Sequence, residues 1–197
     1  VRGGPGCGKT VFALQFLVQG ILQHDEPGVL VTFEEKPDDL ERNLESMGVD
    51  LPGLVKRDRL RMEYVPLQAM DARTHGNFSL DALMARVADS ARAIGARRIA
   101  LDSLENLFTT FTSRSNMRRE IRRLFESFSV LDLTALVTSE LRTSGDRDTH
   151  SLEEYVSDCA LLLDHRMRDQ VATRRIRVLK YRGSSHGQYE YPFLISE

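Results

Sequence analysis

Gly3-Gly4-Pro5-Gly6-Cys7-Gly8-Lys9-Thr10, followed at once by Val11-Phe12-Ala13-Leu14-Gln15-Phe16-Leu17-Val18, is the stretch that decides the fold. The octet matches the phosphate-loop pattern G-x-x-x-x-G-K-[ST] in full. Glycines at those places let backbone N–H groups turn inward around a phosphate, and the helix that follows adds its positive N-terminal end. In that pattern the Lys9 ammonium reaches the β/γ oxygens of a nucleotide and the Thr10 hydroxyl ligates Mg²⁺. The bland alternative is a flexible glycine-rich turn. Leu14, Leu17, Val18 and Ile21, at helical spacing straight after Lys9, weigh against it. Gly4, Pro5, Gly6, Cys7, Gly8, Lys9, Thr10 and Val11 are therefore the candidate ATP contacts.

A phosphate loop normally follows a central strand. Here only Val1-Arg2 stand before Gly3, so the strand ending there is expected to begin upstream, and the chain reads as an N-terminally truncated fragment. Downstream, Val29–Phe33 is a short run of β-formers typical of a buried parallel strand. Pro37 suits the first turn of a helix ending near Met47, before Gly48. A weaker strand near Leu60–Val65 precedes a helix that Ser79 would cap, with Leu80, Leu83, Met84, Val87 and Ala91 as its core face and Gly95 as its stop. Arg98–Asp102 returns as a strand, Asn116–Val130 as a helix, Thr134–Thr138 and Cys159–Leu163 as strands. Arg175–Leu179 then alternates, and with Tyr189–Ile195 it predicts an antiparallel hairpin. Strands alternating with helices before a terminal hairpin describe an α/β fold: a mostly parallel sheet flanked by helices, with an antiparallel C-terminal edge.

The bulk properties fit one domain. At 197 residues, 41% hydrophobic and 28% charged, the chain is an ordinary globular length and composition. No apolar run approaches the ~18 residues of a membrane span, and nothing resembles a signal peptide. A formal charge of −2 gives no global pull toward nucleic acid or an anionic membrane. Two cysteines offer no disulfide framework and suit a reducing cytoplasm.

Beyond the loop, Asp102 ends an apolar strand. An Asp there holds Mg²⁺ through its water in phosphate-loop enzymes, or else caps the next turn; the loop tips the balance to the metal. Glu34-Glu35 follow the Val29–Phe33 strand. Either they face the γ-phosphate and activate the attacking water, or they are acids at a helix start. Spacing alone leaves both open. Arg118, Arg119, Arg122 and Arg123 make a basic strip on one helix. A solvated face paired with Glu120 and Glu126 is the commoner meaning of such a strip, a nucleic-acid contact the rarer. Lys180-Tyr181-Arg182-Gly183-Ser184-Ser185-His186 reads by composition only as a basic exposed turn.

Taken together the pieces resemble the KaiC family of clock ATPases, RecA-like ring proteins. The likeness runs through Gly3–Thr10, Thr32–Pro37, Leu101-Asp102-Ser103, Glu153–Asp158, Leu179–His186 and Glu190–Phe193, nearly the whole chain in order. It implies a slow Mg²⁺-dependent ATPase in a homohexameric ring with nucleotide at the subunit interfaces. Glu34 and Glu35 become the catalytic carboxylates, Glu35 also a metal ligand beside Thr10 and Asp102. Lys180 and Arg182 would contact the γ-phosphate of the neighbouring subunit, with Tyr181, Ser184, His186 and Tyr155 near the nucleotide. In the clock proteins two such domains stand in tandem, and the second phosphorylates itself on an adjacent Ser-Thr pair. Glu154-Tyr155 occupy the matching positions here, while Thr149, Ser151 and Ser157 are off register. The chain thus looks like the first, ATPase-only repeat. Regulatory protein partners are implied; nucleic acid is not. Serine/threonine autokinase activity of the full protein and a DNA-dependent RecA-type ATPase are the alternatives, and an ATP-binding module without catalysis is a third.

Overall fold

The computed structural model describes residues 1–45, 47–66, 80–105, 114–141, 156–168 and 170–195. The predicted helix after the loop is α1 (Lys9–His24). Gly8, in the left-handed region at φ 99°, turns the chain into it, and Asp25, also left-handed, ends it with an N–H to the Gly20 carbonyl. Strand β2 (Gly28–Thr32) is buried throughout. Helix α2 (Pro37–Glu45) starts at the predicted proline and carries Asp38 and Asp39 in its first turn, where the helix dipole favours them.

Helix α3 (Leu51–Lys56) was not expected from periodicity. It is too short to show any, and its signal is local: the Asp50 side chain accepts from the Gly53 N–H at 2.8 Å, and Pro52 fits the first turn. Strand β3 (Leu60–Tyr64), helix α4 (Asp81–Ile94), strand β4 (Arg98–Asp102) and helix α5 (Arg114–Val130) follow as predicted within a residue or two. Gly95 caps α4 at φ 61°. Leu80 holds its N-cap position, and Ser79 lies outside the described residues.

Strands β2, β3, β4 and β5 (Thr134–Val137) form a parallel ladder in the order β3-β2-β4-β5. After Thr138 the chain enters β6 (Ser139–Glu140) in a second ladder, β6-β1-β7-β8-β9, where β7 is Cys159–Arg168, β8 is Val171–Tyr181 and β9 is Tyr191–Pro192. There β1 (Arg2–Gly3) lies parallel to both neighbours, with Arg2 opposite Ser139 on one side and Leu162 on the other. A pocket of about 300 Å³ opens beside Val1, between β5 and the first residues of β7, walled by Phe12, Phe16 and Phe125.

The C-terminal strands differ from the expected hairpin in their main partner. β7 (Cys159–Arg168) runs five residues past its apolar core and pairs antiparallel with β8 (Val171–Tyr181) along its whole length. β9 (Tyr191–Pro192) adds two register pairs on the far side of β8. Alternation in Arg175–Leu179 announced a strand but not which neighbour it would choose.

Both sheet faces are covered, as period-2 strands between helix layers require. Val29, Val31, Ile99 and Leu101 point to one face and pack with Leu83, Val87, Leu124 and Phe128 of α4 and α5. Leu30 and Ala100 point to the other and meet Leu14, Leu17, Ile21, Leu40, Leu44 and Leu54 of α1, α2 and α3. The parallel strands therefore end along one common edge. Gly3, Thr32, Asp102 and Val137 all lie on it.

Candidate functional site

The phosphate loop leaves that edge from Gly3. Gly6 and Gly8 sit at φ 70° and 99°, where a side chain is strained. Gly3 is held by proximity: a Cβ there would come within 2.4 Å of the Cys7 sulfur and 2.5 Å of the Leu163 carbonyl oxygen. Cys7 is buried inside the loop, and burial pushes its thiol above the ordinary value, so it remains a neutral packing group. The Lys9 ammonium donates to the carbonyls of Gly3 at 2.9 Å and Gly4 at 3.0 Å, which brings its charge over the loop.

Asp102 faces the loop from the end of β4. Its Oδ2 accepts from the Thr10 hydroxyl at 2.7 Å, and its Oδ1 accepts from the Thr138 hydroxyl. Thr10 and Asp102 are thus brought together from opposite halves of the sheet, as the sequence pattern requires for a metal pair. Register makes Thr32 the neighbour of Asp102, so Glu34 and Glu35 emerge from β2 beside it. The buried Thr32 hydroxyl donates to the Glu35 carbonyl at 2.9 Å, and Asn43 of α2 donates to Glu35 Oε2 at 3.2 Å. Burial, and then the negative charge of Asp102, push the Glu35 carboxyl above its usual range. Glu34 is exposed.

This donor set fits Mg²⁺. One hydroxyl and two nearby carboxylates suit an ion that takes few protein ligands and completes its shell with waters and phosphate oxygens. A cage of three or more His, Cys, Asp or Glu is absent among the described residues.

The basic turn is elsewhere. Tyr181 is the register partner of Cys159, whereas Gly3 pairs with Leu163, four positions along β7. At ~3.3 Å per residue this sets Tyr181 about 13 Å from Gly3 along the strand direction, toward the opposite edge of the sheet. There Lys180 donates to the Ser157 carbonyl at 2.7 Å and Arg182 pairs with Asp158 at 2.9 Å. Tyr181, Arg182, Ser184 and His186 are exposed. Tyr155 and Glu154, with Thr149 and Ser151, lie outside the described residues.

Five contributors lie outside the candidate site residues read from the sequence. Thr138 and Thr32 are ordinary strand residues by pattern. Asn43 meets Glu35 only because α2 folds back. Phe193 and Ile195 return from β9 to the loop: Phe193 stacks edge-on to Phe12 at 5.9 Å, and Ile195 fills the space beside Gly8. On the basic strip, Arg123 pairs with Glu120 and Asp81, and Arg119 lies 3.7 Å from Glu120.

A glycine-lined loop at the head of a central parallel strand, with a hydroxyl and a strand-end carboxylate meeting over it, defines a RecA-like phosphate-loop ATPase domain. Comparison with known proteins agrees along the whole chain: the family model "ATPase: KaiC" matches residues 1–197. The chain belongs to the KaiC ATPase family. It is 42% identical to the circadian clock protein KaiC2 of Synechocystis sp. over 199 residues, covering 100% of this chain and 34% of the relative. It is 36% identical to the circadian clock oscillator protein KaiC of Synechococcus elongatus over 198 residues, covering 100% of this chain and 38% of the relative. It is 37% identical to KaiC of Parathermosynechococcus lividus, again over 100% of this chain and 36% of the relative. The chain therefore spans 34% to 38% of the length of these relatives. Among the described residues no helix is long and apolar enough to cross a membrane.

Proposed function

We propose that this domain binds ATP with Mg²⁺ and hydrolyses it slowly in a hexameric ring of identical subunits, as the nucleotide-driven part of a clock or regulatory protein in the cytoplasm. The observation that carries the reading is the Thr10–Asp102 contact at 2.7 Å, which sets a metal-directing pair over the phosphate loop.

In this reading the backbone N–H groups of Gly6–Thr10 hold the β-phosphate and Lys9 swings from the loop carbonyls to the β/γ oxygens. Mg²⁺, when bound, would supply charge neutralisation at the phosphates, and Thr10, Asp102 and Glu35 would hold it directly or through water. Glu35, with its carboxyl poised above the usual range, and Glu34 orient and deprotonate the attacking water. Phe193 and Ile195 keep bulk water from the flank of the loop. Lys180 and Arg182 lie toward the opposite sheet edge from their own Gly3, which supports service to the next subunit of a head-to-tail ring. Tyr181, Ser184 and His186 complete that side, and Tyr155 is a further nucleotide contact in this reading.

Autokinase activity belongs in this view to another part of the whole protein. Glu154-Tyr155 give the chain no Ser-Thr acceptor pair. DNA-dependent turnover is not favoured by a formal charge of −2.

The test is Glu34→Gln with Glu35→Gln. ATP affinity should stay within about threefold while turnover falls by about 10²–10⁴. Unchanged turnover would reduce the pair to helix-start acids.

A further inference from the structure

We propose that Thr138 is a positioning residue for metal-bound nucleotide: its hydroxyl fixes one oxygen of Asp102 so that the other faces Thr10. The inference rests on the metal reading of Thr10 and Asp102 given above.

A strand-end aspartate is free to rotate, because its terminal torsion has a broad, shallow profile. Here each carboxylate oxygen has a hydroxyl donor, Thr138 on Oδ1 and Thr10 on Oδ2. Thr10 has a second task when an ion is bound. A lone pair on its oxygen would hold the ion while its proton stays with Asp102. Thr138 has no such task. It is wholly buried at the joint between β5 and β6, and its branched side chain has few rotamers to choose from.

Its backbone is fixed to the same strand end that carries Asp102. The Thr138 N–H donates to the Leu101 carbonyl at 3.0 Å, and the Leu104 N–H donates to the Thr138 carbonyl at 3.0 Å. One and three residues further on, the Ser139 N–H donates to the Val1 carbonyl at 2.8 Å and the Leu141 N–H to the Gly3 carbonyl at 3.1 Å. Residues 138–141 therefore bind the Asp102 half of the site to the phosphate-loop half, and Thr138 is the one whose side chain acts on the carboxylate. Satisfaction of a buried hydroxyl is too small a reason for the contact. The Leu101 carbonyl, at 3.5 Å, stands within reach of the same Oγ1.

The experiment titrates Mg²⁺ into the purified protein with a fluorescent ATP analogue, and measures analogue affinity separately in excess EDTA. Thr138→Val keeps the shape and removes the donor. The Mg²⁺ concentration at half-maximal response should rise about tenfold, the cost of one hydrogen bond to a charged group. Affinity in EDTA should stay within twofold, and Thr138→Ser should restore the wild-type midpoint. An unchanged midpoint in Thr138→Val overturns the proposal. So does a Thr138→Ser protein as impaired as the valine variant, because packing and not the hydroxyl would then be at work. If the valine variant does not fold, Thr138→Cys, which loses the γ-methyl and keeps only a weak S–H donor, is read in the same titration. It should shift the midpoint about threefold, and no shift again overturns the role. Asp102→Asn separates the two levels. If it leaves the Mg²⁺ midpoint unmoved, the metal reading itself fails; if it moves the midpoint and Thr138→Val does not, only the role of Thr138 falls.

Discussion

Glu35 shows how far a single position can be read. The sequence offered two acids after a strand, and the residues alone left their purpose undecided. Burial beside Asp102 raises the Glu35 carboxyl in the folded chain above its ordinary value of 4.5. A carboxyl raised in this way binds more protons folded than unfolded, so ionising it opposes folding and stability falls as pH rises through the window above 4.5. Glu35→Gln should therefore melt at an equal or higher temperature than the wild type at pH 7 without ligand, with the gap closing as pH falls below that window. Melting curves at several pH values check this, and a less stable glutamine variant at pH 7 would contradict it. Gly8 makes the opposite case, since the motif itself named it. Its φ of 99° strains any side chain, and the Ile195 methyl, 2.6 Å from an added Cβ, would have to move for alanine. Gly8→Ala should cost about 1–3 kcal/mol in backbone strain and weaken ATP binding, read by thermal melting and nucleotide titration. Thr138 lay beyond sequence reading because a threonine ending a strand of β-formers looks the same whether or not a carboxylate waits opposite.

At the level of elements, the helices were legible wherever their apolar residues recur over three turns or more, as in α1, α4 and α5. Six-residue α3 offered only its cap. The choice of β7 as the main partner of β8 depends on where the chain returns, which no local pattern encodes. Edge strand β3 is tied down by a similar long-range contact. Glu63 accepts from Ser90 at 2.5 Å and from Arg86 at 2.6 Å, both on α4, with Arg61 at 3.3 Å. Burial alone would raise the Glu63 carboxyl, but the Ser90 and Arg86 bonds outweigh it and hold it below 4.5. The stabilisation is thus complete above 4.5 and fades as pH falls through the lowered value. Ser90→Ala should cost about 1.5–3 kcal/mol, as expected for a hydrogen bond to a charged group, and the loss should shrink in acid. Denaturant titrations at pH 7 and below pH 4 measure both. An equal loss at the two pH values would mean that packing, not the carboxylate, holds β3 to α4.

On the scale of the whole molecule, the parallel sheet with its helix layers was readable because the strands alternate with helices in strict order. The proposed ring has no such signature in the residues themselves, because an interface leaves no periodicity. It rests on where Lys180 and Arg182 lie relative to Gly3, and on the family likeness. Arg182→Ala should bind ATP but hydrolyse it about 10³–10⁵ more slowly. Mixed with Lys9→Ala subunits, it should regain activity, since about a quarter of randomly formed interfaces would be fully equipped. Rings shown to mix without regaining turnover would put Arg182 to work on its own subunit or on none. The central place of β1 has a further consequence, for the moment of synthesis. Arg2 leaves the ribosome among the first residues described here, yet its sheet neighbours are Ser139 and Leu162. At ~5–20 residues per second, roughly 8 to 30 s pass before both have been made. Until Ser139 is made, the phosphate loop is attached to a strand that lacks both of these neighbours. Within this domain, therefore, nucleotide can stabilise the loop through β1 only after β6 and β7 have been made.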